Sequence, residues 1–192
     1  MLTTLALLTI AQVDLAPLLN RGPLVLVEQG TDSKFAQATG VVLVDADPDR
    51  VWAVLVKMEE FKDFMPKVTT SEVVKEKAGD VEVRFVLDVP GPDTDYTVRF
   101  TPNAATKTIT GSWASGDLKG SKWLWKVESA PGGKALLTHT LSVKNFSGLA
   151  QSLEDEQQTV TVGVNVGSVL AATKAVKNRA ESQAKANAAA AK

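Results

Sequence analysis

The sequence predicts a single α+β domain in which a curved antiparallel sheet wraps around a long C-terminal helix. Three observations predict it. An acid-proline pair, Asp47-Pro48, opens an amphipathic helix; alternating apolar and polar residues then fill a series of segments separated by turn signals; apolar residues finally recur at helical spacing from Val160 to Ala175. A chain of 192 residues fits one domain and buries enough surface to stand without disulfides or metal.

The elements follow in order. Met1–Ala11 (MLTTLALLTIA) is apolar and too short to span a bilayer, and no other stretch reads as a membrane span. With no Lys or Arg it reads either as a weak export signal, within an apolar segment 1–22, or as a first helix packed on the domain. Export to the periplasm is the favoured reading over a cytoplasmic location. Leu24–Gln29 and Phe35–Ala46 have strand character around the turn signal Gly30-Thr31-Asp32-Ser33 and suggest a hairpin. Asp47 is placed to cap and Pro48 to occupy the first helical position. Val51, Leu55 and Met58 share one face, Phe61, Phe64 and Met65 prolong the apolar surface, and Pro66 ends the helix, with a break expected near Glu60.

From Val68 the period becomes two. Val81, Val83, Phe85, Leu87 and Val89 alternate with Glu82, Arg84, Val86 and Asp88, and after Pro90-Gly91-Pro92-Asp93 so do Tyr96, Val98 and Phe100 with their neighbours. Thr106–Trp113, Lys119–Glu128 and, after Pro131-Gly132-Gly133, Ala135–Val143 complete an antiparallel meander. Beyond Asn145 two sets fit one helix on neighbouring faces. One is Val160, Gly163, Val164, Gly167, Leu170, Ala171, Lys174 and Ala175; the other is Val162, Val166, Val169, Thr173 and Val176. An Ala/Lys-rich tail, 183–192, follows, and its basic residues read as a solvated helix end matched to the dipole.

Composition narrows the chemistry. No cysteine and one histidine, His139, exclude thiol nucleophiles, disulfides and multi-histidine zinc sites, so no metal or cofactor is expected. A net charge of -1 provides no field for nucleic acid. Trp123 and Trp125 with Lys119, Lys122 and Lys126 do not make a nucleic-acid face, because the lysines fall on both parities. No Ser/His/Asp arrangement accompanies His139, and no catalytic residue is assigned. The carboxylates Glu154-Asp155-Glu156 are adjacent on a helix and do not face one another.

The order of strand, capped helix, antiparallel strands and long final helix resembles the START/polyketide-cyclase/coenzyme-Q-binding superfamily. Val41–Pro66 (VVLVDADPDRVWAVLVKMEEFKDFMP) carries the resemblance, with Trp113–Ser129 and Ala135–Val143 similar to the late strands and roughly Leu153–Ser182 to the final helix. It implies the helix-grip fold over 23–182 and binding of an apolar small molecule, such as a lipid, quinone or polyketide-like compound, in an internal cavity. The superfamily has no invariant catalytic motif, so fold transfers and function does not. By parity the expected lining is Val83, Phe85, Leu87, Tyr96, Val98, Phe100, Trp113, Trp123 and Trp125, with Val162, Val166, Val169 and Leu170 from the helix. The same side chains would also serve as a solid core. A cyclase or aromatase would draw its polar groups from Tyr96, Arg99, Thr138 and His139; an interaction protein would use the apolar N-terminus and basic tail for peripheral membrane contact. No signal for an oligomeric state is present.

Overall fold

The computed structural model describes residues 15–30, 35–89, 92–143 and 158–190. A short helix α1 (Ala16–Leu19) precedes strands β1 (Leu24–Gln29) and β2 (Phe35–Val44). Helix α2 (Pro48–Leu55) and a 3-10 helix (Met58–Asp63) follow. Six strands come next: β3 (Val68–Lys77), β4 (Asp80–Leu87), β5 (Thr94–Asn103), β6 (Thr108–Gly116), β7 (Lys122–Ala130) and β8 (Lys134–Ser142). Helix α3 (Gln158–Ala190) closes the fold. The strands form one curved antiparallel sheet in the order β1-β2-β8-β7-β6-β5-β4-β3, with α3 laid along its concave side, which is the helix-grip fold.

The meander forms because its segments alternate strictly. In β8 every second residue from Ala135 through Leu141 is buried, and β5 buries Thr94, Tyr96, Val98 and Phe100 in the same way. The outward parity of β4 and β5 carries ion pairs instead. Arg84 grips Asp95 through two nitrogens at 3.0 and 2.7 Å, and Arg99 grips Glu82. Such exposed pairs mainly set register and solubility, each contributing at most about 1 kcal/mol. The edge strand β3 exposes Val73 and Val74 but flanks them with Glu72, Lys75, Glu76 and Lys77, charges that discourage edge pairing.

Asp47 caps α2 as its sequence position requires, accepting the Arg50 backbone N–H at 3.0 Å. The helix stops at Leu55, earlier than the break expected near Glu60, because Lys57 leaves helical geometry (φ −90°, ψ 65°) and the chain tightens into the 3-10 turn. That turn still buries Met58 and Phe61. It is tied to α3 by Arg179, whose Nη2 donates to Glu60 at 3.1 Å and whose guanidinium lies over the Phe64 ring at 5.7 Å.

Three features hold α3 against the sheet. Val169, Thr173 and Val176 are fully buried on one face. Gly40 on β2 lets that face come close: a Cβ there would stand 3.2 Å from the Val169 carbonyl oxygen. Asn165, also fully buried, accepts the Val143 N–H at 2.8 Å and donates to the Thr161 carbonyl at 2.9 Å, pinning the end of β8 to the helix. The helix continues without interruption through the Ala/Lys-rich stretch as far as Ala190. By length and composition Thr159–Ala190 also passes as a membrane span, which the sequence reading did not identify, but here the helix packs on β2 and β8.

Candidate ligand-binding cavity

The sheet does not close fully on α3. Between them lies a cavity of about 650 Å³, within the size range of small-molecule sites. Its sheet wall is Phe85, Leu87, Tyr96, Val98, Phe100, Trp123, Trp125, His139 and Leu141; its roof is the α3 face of Val160, Gly163, Val164, Gly167, Ser168, Ala171 and Ala172. Phe61 and Met65 from the 3-10 region and Leu118 from the β6–β7 turn complete the apolar lining. Exposed Pro66, Lys67 and Pro92 stand at the rim.

The wall is aromatic and continuous. Tyr96 stacks on Trp123 (centroids 5.9 Å, planes within 4°), Phe85 meets Phe61, Tyr96 and Phe100, and Trp125 lies parallel to the His139 ring at 3.6 Å. Gly111 on β6 makes the room for this arrangement. A Cβ there would fall 2.8 Å from the Phe100 ring and 3.0 Å from Trp123 Cβ, so any side chain would displace the Phe100 ring and the base of Trp123.

Of the thirteen residues expected to bind the ligand, seven line this cavity: Phe85, Leu87, Tyr96, Val98, Phe100, Trp123 and Trp125. The other six lie elsewhere, for local reasons. Val83 faces inward but is fully buried in the solid part of the core. Trp113 sits where the β5–β6 register shifts, and its Nε1 donates to the Gly116 and Asp117 carbonyls at 3.1 and 2.9 Å, which turns the ring toward the β6–β7 connection. Val169 is spent against β2, and Val162, Val166 and Leu170 also lie off the lining face. The neighbouring helical set, Val160, Gly163, Val164, Gly167 and Ala171, faces the cavity instead. Phe61, Met65 and Leu118 lie in segments with no period-two pattern, which is why parity does not assign them, although Phe61, Phe64 and Met65 form one apolar surface in the sequence.

Polar groups in the lining are few. Among the described residues Lys67 is the one charged member, at the rim beside Asp88 (3.4 Å), and no carboxylate lines the space. Of the four polar groups considered for catalysis, Tyr96 and His139 face the cavity. Arg99 and Thr138 lie on the opposite parity, outside it. Burial pushes the Tyr96 phenol well above its usual value, so it stays protonated. Burial also depresses His139 to about 4, against a smaller opposing pull from its bond to the Leu124 carbonyl, so the imidazole is neutral near pH 7. Among the described residues no cluster of side chains is arranged to hold a metal ion.

Several solved structures share this architecture. An aromatase/cyclase, ZhuI of Streptomyces sp. R1128, superposes with a TM-score of 0.63 at 22% identity, covering 76% of this chain and 93% of its own. A STAR-related lipid transfer protein fragment from Xanthomonas axonopodis gives 0.63 at 21% identity, covering 83% and 93%. A protein from Thermus thermophilus gives 0.65 at 18% identity, covering 77% and 99%. At these identities the similarity establishes the fold alone. Among curated protein sequences none matches the chain. The family model described as polyketide cyclase / dehydrase and lipid transport matches residues 36–183, from the start of β2 well into α3. The chain therefore belongs to the polyketide cyclase / dehydrase and lipid transport family.

Proposed function

We propose that this protein binds and carries one apolar small molecule, of lipid, quinone or polyketide-like character, in the cavity between sheet and α3. The observation that carries the reading is the cavity itself: about 650 Å³ walled by aromatic and aliphatic side chains, beside a core that is otherwise one contiguous buried cluster. A close-packed interior leaves few voids larger than a water molecule, so a space of this size serves an occupant. Burying about 300 Å² of a ligand's apolar surface would contribute roughly 7 kcal/mol before the costs of association.

Carriage is favoured over conversion by the chemistry of the wall. A general acid or base works best with a pKa near the operating pH. His139, held at about 4 with no carboxylate beside it in the lining, is poorly tuned for that task.

Thermal unfolding and tryptophan fluorescence, recorded with oleic acid, decylubiquinone and 9-phenanthrol, test the proposal. A ligand at a hundred times its Kd stabilises by about 2.7 kcal/mol, which for a chain of this length is roughly 5–10 °C in Tm. At least one compound should reach that shift while quenching Trp123 and Trp125, and should be recovered chemically unchanged. Failure of all three to shift Tm or fluorescence would overturn carriage; recovery of an altered compound would replace it with catalysis.

A further inference from the structure

Resting on the carrier reading, we propose that the cavity selects apolar ligands bearing a hydrogen-bond donor, a hydroxyl above all, and that His139 Nε2 is the acceptor that reads it. The other ring nitrogen sets the tautomer. His139 Nδ1 lies 3.0 Å from the Leu124 carbonyl oxygen on the neighbouring strand. A carbonyl only accepts, so Nδ1 carries the proton, and in a neutral ring Nε2 is left as a pure acceptor.

The ring cannot turn away from this role. Trp125 covers one face at 3.6 Å with planes only 9° apart, and the Leu124 bond fixes the other degree of freedom. The residue is 3% exposed and lines the cavity. Nε2 has no hydrogen-bond partner among the described residues. An acceptor on a fixed ring of the cavity wall, with no partner among the described residues, is placed for the cavity's occupant, or water.

The energetic consequence is a preference. A wholly apolar ligand would strip Nε2 of water and return nothing, whereas a ligand hydroxyl would replace that water with a directed bond. Sites built to bond a hydroxyl discriminate strongly against the analogue that lacks it. The Tyr96 phenol, also in the lining and kept protonated, would leave a ligand oxygen acceptor welcome as well. The class indicated is therefore an apolar molecule bearing a hydroxyl or similar donor rather than a plain hydrocarbon chain.

The test uses three ligands of nearly equal size: 9-phenanthrol, 9-methoxyphenanthrene and 9-methylphenanthrene. They offer respectively a donor, an acceptor only, and neither. Titration of the full chain at pH 7, read by calorimetry and tryptophan quenching, should give 9-phenanthrol an affinity about ten-fold or more above the methyl compound. His139→Phe should remove that preference, so that 9-phenanthrol and 9-methylphenanthrene bind the variant within about two-fold of one another, the phenyl ring standing in for the imidazole against Trp125. Equal binding of all three by the wild-type protein would overturn the inference and leave the carrier reading intact. No binding of any of them would overturn the inference too, and the carrier reading falls only if oleic acid and decylubiquinone also fail. The wild-type comparison decides the matter even if the variant does not fold.

Discussion

Replacing Gly163 and Gly167 together by leucine should abolish ligand binding without unfolding the protein. Both glycines belong to the α3 face that roofs the cavity, and a Cβ built at either meets no atom within 4 Å. Leucines there would project into the space that the ligand needs. Stability should hold or rise, because each glycine in a helix interior costs about 1 kcal/mol relative to a good helix former. Affinity for whichever compound binds the wild-type protein should fall at least about 100-fold, equivalent to roughly 2.7 kcal/mol. Calorimetric titration beside a thermal melt separates blockage from unfolding. A double variant that melts normally and binds normally would place the ligand somewhere other than this cavity.

The second large effect concerns acid. His139 is pushed from an ordinary value of 6.5 to about 4, first by burial. The unfolded chain therefore takes up a proton below pH 6.5 that the folded chain refuses until about pH 4, and stability must fall as pH falls through that window. The sign follows from a depressed base: the contribution is fully present above 6.5, shrinks between 6.5 and 4, and is constant below. By about pH 4.5 the loss from this group is on the order of 2 kcal/mol. Urea unfolding at about pH 7 and about pH 4.5 should show His139→Phe losing less stability than the wild type by about that amount. An identical pH dependence in both proteins would mean that the imidazole is not desolvated as the structure has it.

These predictions rest on parts of the molecule that were unequally legible in the sequence. The sheet wall could be read because β5 alternates cleanly and β4 and β7 keep a period of two despite the apolar runs Phe85-Val86-Leu87 and Trp123-Leu124-Trp125, so parity assigned Phe85, Leu87, Tyr96, Val98, Phe100, Trp123 and Trp125 to one face. Trp113 keeps the parity of its strand opposite Val98, but its indole nitrogen is drawn to the Gly116 and Asp117 carbonyls beyond the register shift, and nothing in the pattern of single residues marks that bulge. The roof was harder. Valines and alanines are spread around α3, so helical spacing offered two adjacent apolar faces, and only the packing of Val169 and Thr173 against Gly40 decides which one faces the sheet. Gly163 and Gly167 fall on the other face, where their small size leaves space. His139 was visible as the single histidine, but its tautomer depends on a carbonyl of the next strand, which only the register supplies.

The central claim, that the cavity holds an apolar molecule, is tested most directly by native mass spectrometry of the freshly purified protein, with its solvent extract resolved by chromatography. The expected result is a single adduct at one per chain, apolar and bearing a hydroxyl or similar donor, and missing from protein carrying Gly163→Leu and Gly167→Leu. A bare mass in the wild type, after purification without detergent and again after incubation with oleic acid, decylubiquinone and 9-phenanthrol, would contradict it.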